Sequence, residues 1–320
     1  MRILFIDSVH PTLEEQLTAS NFTCEHDYTS SYAELLKRIA LYEGIVIRSR
    51  IPLDKTFLSA AHNLKFIARS GAGLENIDLV AAKELSITVF NSPEGNRDAV
   101  GEQAIGMLLM LFNHLKRSDA EVRKGIWLRE NNRGEEIAGK TIGIIGYGMM
   151  GSALAKKLFG FDCNVIAHDK YKTGFSSDWV QECSLEQLQA QADVISLHLP
   201  QSDETHYYVN HEFIANCAKP FVLINTARGK NVEVKALVDA LKSGKVRGAC
   251  LDVLEFEKRT FESLKQEELP LDFQYLTKAE NVILSPHVAG WTKESYVKLS
   301  SFLAEKILAK YSQSGLSATL

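Results

Sequence analysis

The sequence predicts an α/β protein made of parallel sheets, with a doubly wound sheet in its second part. Three observations carry this. Short apolar runs alternate with helical patterns along most of the chain, which implies strand–helix–strand units rather than hairpins. Polar residues recur where the apolar runs give out, at the carboxyl ends where such sheets bind ligands. Gly146, Gly148 and Gly151 form a G-x-G-x-x-G between the apolar run Thr141-Ile142-Gly143-Ile144-Ile145 and a helical pattern from Ser152 to Phe159.

Residues 1 to about 90 read as one smaller unit. Its strand candidates are Ile3–Ile6, Gly44–Ile47, Leu64–Ala68 and Thr88–Phe90, with helical patterns near Leu13–Ala19, Tyr32–Leu41, Leu53–Ala61 and Leu79–Leu85. The first strand candidate is cut short by Asp7, which does not read as a secretory leader. Two strand ends carry candidate anion ligands. Arg48-Ser49-Arg50 follows the second strand, where rigid, permanently charged guanidinium forks suit carboxylate or phosphate; a solvated basic edge is the alternative. Gly71-Ala72-Gly73 follows the third and could aim successive N–H groups at one anion, or be a plain strand-to-helix turn.

The turn-rich Asn91-Ser92-Pro93-Glu94-Gly95-Asn96 reads as a linker, and one long helix is expected after it, from about Asp98 to Arg117. Residues 118–139 are polar and mixed. Then come the glycine turn, a strand at Asn164–Ala167, a helix at Ser184–Ala190, and strands at Asp193–Leu197, Phe221–Ile224, Arg247–Leu251 and Val282–Leu284. Helices are expected at Glu233–Ser243 and from about Thr292 to Tyr311.

The glycine turn points to a dinucleotide. Gly146 permits a tight turn out of the strand, Gly148 lets a pyrophosphate approach the backbone, and Gly151 lets the helix pack closely. The helix start offers N–H groups and a partial positive charge. Asp169 follows the next strand at about the 20-residue interval at which an acid binds the adenosine ribose. It would repel a 2′-phosphate, so the cofactor reads as NAD rather than NADP, a preference that Lys170 and Lys172 weaken.

Composition narrows the class. The 320 residues suggest about two domains, with 45% hydrophobic and 24% charged residues. A net charge of −4 gives no broad basic field for nucleic acid or membrane. The longest apolar run, Ala104 to Phe112, is too short to span a bilayer. The five cysteines are odd in number and contain no C-x-x-C, as expected of reduced thiols in a cytoplasmic protein. No metal motif is present.

Arg228, Glu257 and His287 stand at or near three strand ends. Hydride chemistry needs a matching proton carrier and a hold on the substrate. Histidine suits the first task, and a carboxylate beside it orients the ring. Arginine suits the second. Singly, each could be an ordinary loop residue.

Together these segments resemble the D-isomer-specific 2-hydroxyacid dehydrogenases over nearly the whole chain. The carriers are Gly146–Gly151, Asn225-Thr226-Ala227-Arg228-Gly229, Ala249-Cys250-Leu251-Asp252-Val253 with Glu257, and Ser285-Pro286-His287-Val288-Ala289-Gly290. The resemblance implies that Arg228 binds the substrate carboxylate, His287 is the acid/base and Glu257 its partner. It implies cofactor contacts from Gly146, Gly148, Met149, Met150, Gly151, Asp169, His198, Leu199, Pro200, Thr205, Thr226, Ala227, Arg228, Asp252, His287 and Gly290. It implies an anion loop at Gly71-Ala72-Gly73. The implied fold is two Rossmann-like domains: a doubly wound NAD domain, 98–287, inserted in a smaller flavodoxin-like substrate domain, 1–97 and 288–320, usually as a homodimer.

Within the family, Arg48, Ser49, Arg50 and Asn96 resemble substrate contacts of the phosphoglycerate dehydrogenase branch. The expected reaction is therefore oxidation of 3-phospho-D-glycerate to 3-phosphooxypyruvate, the first step towards serine, with Arg50 or Arg69 adding charge for the phosphate. The alternatives are a glyoxylate or hydroxypyruvate reductase or another D-2-hydroxyacid dehydrogenase, and, from a different class, a non-enzymatic NAD-sensing corepressor of the same fold. Four departures from the family pattern stand out: Met149-Met150 replaces the usual Arg-Ile, Lys258 replaces a proline, a charged insertion spans about Arg259–Asp272, and Trp291 stands where small residues are common. Serine inhibition through a C-terminal regulatory domain is not expected.

Overall fold

The computed structural model describes residues 1–257 and 270–312. Lys258 and most of the charged insertion, 259–269, lie outside the described residues, as do 313–320. The chain divides into two compact units, Met1–Asn96 with Trp291 onward, and Arg97–Gly290.

The first unit holds strands β1 (Arg2–Phe5), β2 (Thr23–His26), β3 (Gly44–Ile47), β4 (Phe66–Arg69) and β5 (Thr88–Asn91). They form one parallel sheet in the order β2-β1-β3-β4-β5, the flavodoxin-like order. Its helices are α1 (Thr12–Ala19), α2 (Tyr32–Leu36), α3 (Lys55–Ala60) and α4 (Leu79–Glu84). On one face, Leu4, Ile45 and Ile67 pack with Leu35, Phe57 and Ala81. On the other, Ile3, Phe5 and Phe66 pack with Leu13 and Leu17 and with Leu303, Ala304 and Ile307 of the last helix. That helix therefore completes the core of the sheet laid down some 200 residues earlier.

The second unit begins with α5 (Arg97–Phe112) and α6 (Leu115–Val122). A single helix was expected here. His114 instead takes a left-handed conformation, φ 48°, which ends one helix and starts another. The seven strands are β6 (Thr141–Ile145), β7 (Asn164–His168), β8 (Gln181–Glu182), β9 (Val194–Leu197), β10 (Phe221–Asn225), β11 (Val246–Leu251) and β12 (Val282–Leu284). All pair in parallel, in the order β12-β11-β10-β9-β6-β7-β8. The order reverses between β6 and β9, so their carboxyl ends flank the switch point of a Rossmann sheet. The helices α7 (Met149–Leu158), α8 (Leu185–Gln191), α9 (His211–Asn216), α10 (Val234–Ser243) and α11 (Leu271–Lys278) complete this unit. Residues of α5 and α7 cover one face of the sheet, and α8, α9 and α10 the other. The last helix, α12 (Lys293–Tyr311), belongs to the first unit and starts at a Thr292–Ser295 capping box.

Strands β2 and β8 and helices α9 and α11 were not expected from sequence. β2 and β8 are short edge strands whose residues are half-buried or exposed, so no apolar run marks them. The two helices span only six and eight residues, too short for a clear period.

Candidate active site

The glycine turn joins β6 to α7. Gly146 has φ 92°, and a side chain there would meet the His198 carbonyl. A side chain at Gly151 would strike the Gly146 carbonyl. Gly148 differs: its Cβ position has nothing within 4 Å, which leaves room for a ligand. It caps α7 without any side-chain hydrogen bond, so the first N–H groups of the helix are not taken by a cap. Met149 and Met150 occupy the first helical positions, where a thioether donates no hydrogen bond. The donors this turn offers to a phosphate are therefore those of its backbone.

Asp169 stands just past β7. Its Oδ2 accepts Tyr147 N–H at 2.7 Å, and its Oδ1 accepts Tyr171 N–H at 2.9 Å and Lys172 N–H at 3.0 Å. Three backbone donors thus fix the carboxylate beside the turn, with lone pairs remaining for hydroxyl groups.

Across the switch point, two polar atoms are sealed from solvent with no hydrogen-bond partner among the described residues: Nδ1 of His198 and Oγ1 of Thr226. His198 follows β9, with Nε2 3.0 Å from Ser196 Oγ. Burial pushes its pKa down to about 4. Buried polar groups nearly always have partners, so atoms left without one at a strand end fit a ligand that supplies them. These residues and the open Gly148 fit a dinucleotide. Thr205, by contrast, is buried and braces its own loop: its hydroxyl donates to the Pro200 carbonyl at 2.7 Å and accepts Ser202 N–H at 2.9 Å. Asn231 ties Pro200 and Thr205 to the loop after β10.

The candidate reacting groups come from three loops. Arg228 follows β10, with Nη1 donating to the Ala227 carbonyl at 2.7 Å. Its backbone is set by Asn225 and by fully buried Asn231. Gly229 lies against the Leu254 carbonyl, where a side chain could not fit, which brings the arginine loop against the loop carrying Glu257. Glu257 Oε1 accepts Leu254 N–H at 2.6 Å, and its Oε2 stands 2.9 Å from His287 Nδ1. Asp252, expected as a cofactor contact, is buried, and its carboxylate gathers the histidine loop, accepting from Ser285, Val288 and Ala289. The acid signature revealed Asp252 but not this task. The Ala227 and Leu199 side chains add no polar group.

The first unit is more selective about its expected ligands. The backbone N–H groups of Arg48, Ser49 and Arg50 all donate to Asp7 Oδ2, at 2.6, 3.0 and 3.2 Å. The Arg50 guanidinium donates to three carbonyls, of Ile6, Ser30 and Asp27. The expectation of a phosphate contact from Arg50 meets a side chain already built into the fold. Arg48 is different: its guanidinium lies 4.2 Å from the Trp291 ring centroid. Asp7 was visible in the sequence only as the acid that cut short an apolar run.

The loop at Gly71-Ala72-Gly73 is held by the 91–92 segment. Ser92 N–H donates to Gly71 O at 3.0 Å and Asn91 Nδ2 to Ala72 O at 2.7 Å. Both bonds use carbonyls, so neither takes the loop's N–H groups. The Arg69 guanidinium lies directly over Gly71. Asn96 Oδ1 is sealed from solvent with no hydrogen-bond partner among the described residues. Among the described residues, no His, Cys, Asp and Glu cluster could hold a metal, and no helix is long and apolar enough to cross a membrane.

Comparison with known proteins shows the family. A family model described as the D-isomer specific 2-hydroxyacid dehydrogenase, NAD binding domain, matches residues 105–289. A hydroxypyruvate reductase of Thermotoga maritima is 36% identical over 276 residues, 86% of each chain. A D-3-phosphoglycerate dehydrogenase of Archaeoglobus fulgidus is 32% identical over 96% of this chain, which spans only 57% of that relative's length. Among solved structures, a D-lactate dehydrogenase of Aquifex aeolicus, complexed with NAD and lactic acid, superposes with a TM-score of 0.81 at 29% identity, covering 97% of this chain and 95% of that one.

Proposed function

Because the chain belongs to the D-isomer-specific 2-hydroxyacid dehydrogenases, we propose that it oxidises a phosphorylated D-2-hydroxy acid, 3-phospho-D-glycerate, to the corresponding 2-keto acid. The cofactor is NAD, which accepts the hydride from the carbinol carbon when bound. The chain's own residues do the rest. Arg228 holds the substrate carboxylate and polarises the oxygen next to it. His287 takes the hydroxyl proton on Nε2, or returns it in the reverse direction. Glu257 holds Nδ1, which fixes the orientation of the ring. The observation that carries this reading is the Glu257–His287 contact at 2.9 Å, on a loop set against that of Arg228.

For the phosphate, Arg48 and Arg69 are the supporting groups, one stacked on Trp291 and one lying over the Gly71 loop. A second reading, reduction of an unphosphorylated acid such as hydroxypyruvate or glyoxylate, is favoured by Asp7 and Arg50. Asp7 fills the N–H groups of the 48–50 loop, and Arg50 is engaged by carbonyls. The deciding assay is steady-state turnover with NADH on 3-phosphooxypyruvate, hydroxypyruvate, glyoxylate and pyruvate. A higher kcat/KM for the phosphorylated acid upholds the proposal; equal or better use of hydroxypyruvate overturns it in favour of the second reading.

A homodimer is supported by exposed apolar residues on α6 and the segment after it: Leu115, Val122, Ile126, Trp127 and Leu128, with Trp127 74% exposed. Large apolar groups in one stretch of surface mark interaction sites.

A further inference from the structure

Asp169 is not the only acid at the adenosine end of the cofactor site. Glu204, in the loop after β9, pairs through one carboxylate oxygen with Lys170 Nζ and accepts the Tyr171 hydroxyl on the other. Lys170 and Tyr171 are the two residues that directly follow Asp169. The same segment curls around the Asp169 carboxylate through the N–H groups of Tyr171 and Lys172. Lys172 reaches the other way, its Nζ donating to the Tyr147 carbonyl of the glycine turn at 3.1 Å. Both lysines that flank the ribose-binding acid are therefore engaged.

A basic residue at this place is what accommodates the 2′-phosphate of NADP. This chain has two such residues in sequence, yet its fold answers one with a carboxylate and the other with a carbonyl. We propose that Glu204 is a cofactor-selecting residue. It acts through Lys170, neutralising the cation that would otherwise pair with a 2′-phosphate. The pair is solvent-accessible, with Glu204 42% exposed, so the effect is moderate and weakened by salt.

The test is titration calorimetry of the purified protein with NADP+ and NAD+, which reads binding without turnover. Glu204→Gln keeps the side-chain size and removes the charge. Its ratio of NADP+ to NAD+ affinity is expected to rise about tenfold, with the gain coming from NADP+, an effect on the scale of one partly screened charge pair. The gain should shrink between about 50 mM and about 500 mM salt, and Lys170→Met in the Glu204→Gln background should remove it. A loop brace alone would change both affinities by one factor. That result, an unchanged ratio, a gain insensitive to salt, or a gain that survives loss of Lys170 overturns the proposal.

Discussion

The backbone N–H of His287 donates to the carbonyl of Asp252 at 2.7 Å. Around that bond the Asp252 carboxylate collects Ser285, Val288 and Ala289, while His287 itself sits in the left-handed region at φ 55°. Such a conformation costs a non-glycine residue about 1–2 kcal/mol and persists only where its surroundings over-determine it. Asp252 is thus the positioning residue for the proposed acid/base. Asp252→Asn should lower kcat about 10²-fold, because an amide cannot accept all of those donors. A kcat within twofold of the parent would remove Asp252 from this task.

His287→Ala should slow turnover by about 10²-fold or more, the range for a positioned acid/base. Because Glu257 is assigned a role through His287, Glu257→Gln should be slow on its own and add little in the double variant. Multiplying effects in a double-mutant cycle would mean that Glu257 acts independently.

Arg48 and Arg50 should behave oppositely. Arg50→Ala strips three part-buried carbonyls of a charged donor and should destabilise the protein by roughly 2–4 kcal/mol, read by urea unfolding. Arg48→Ala should leave the fold in place and raise KM for 3-phosphooxypyruvate about tenfold, with little change for hydroxypyruvate. An equal rise for both acids would argue against a phosphate contact.

The Thr226 hydroxyl is sealed from solvent without a hydrogen-bond partner among the described residues. Thr226→Val keeps the shape and removes that hydroxyl, so the melting temperature without NAD should hold or rise. NAD affinity should fall about five- to tenfold, the worth of one hydrogen bond lost in a site built for it. A lower melting temperature with unchanged affinity would make Thr226 structural.

Burial holds His198 at about 4, against 6.5 for an ordinary imidazole. The unfolded chain therefore binds this proton at higher pH than the folded one. The contribution is complete above pH 6.5 and is lost as pH falls towards 4, by at most about 3 kcal/mol at 1.36 kcal/mol per unit. His198→Gln should flatten the acid side of the stability profile between those values, as measured by denaturant melts. A profile identical to the parent's would place the acid loss elsewhere.

Trp127→Glu should turn a homodimer into a monomer in sedimentation velocity. A parent that already sediments as a monomer would dispose of the dimer.

The sequence by itself determined the fold class, most of the strands and the family. Those depend on local periodicity, on a glycine spacing that only a tight strand-to-helix turn explains, and on signatures read in order along the chain. Edge strands β2 and β8 escaped because an edge need not be apolar, and the break at His114 because an apolar period runs on through a kink. Only the tertiary structure decided which charged residues already have partners. Arg48 and Arg50 are alike in sequence, yet one stacks on Trp291 from the far end of the chain and the other is held by carbonyls of Ile6, just past β1, and of the 27–30 segment. Lys170 reads as a cation beside the ribose until Glu204, 34 residues on, takes it. A side chain's charge is a property of its residue; whether that charge is available to a ligand depends on what the fold brings beside it from distant parts of the chain.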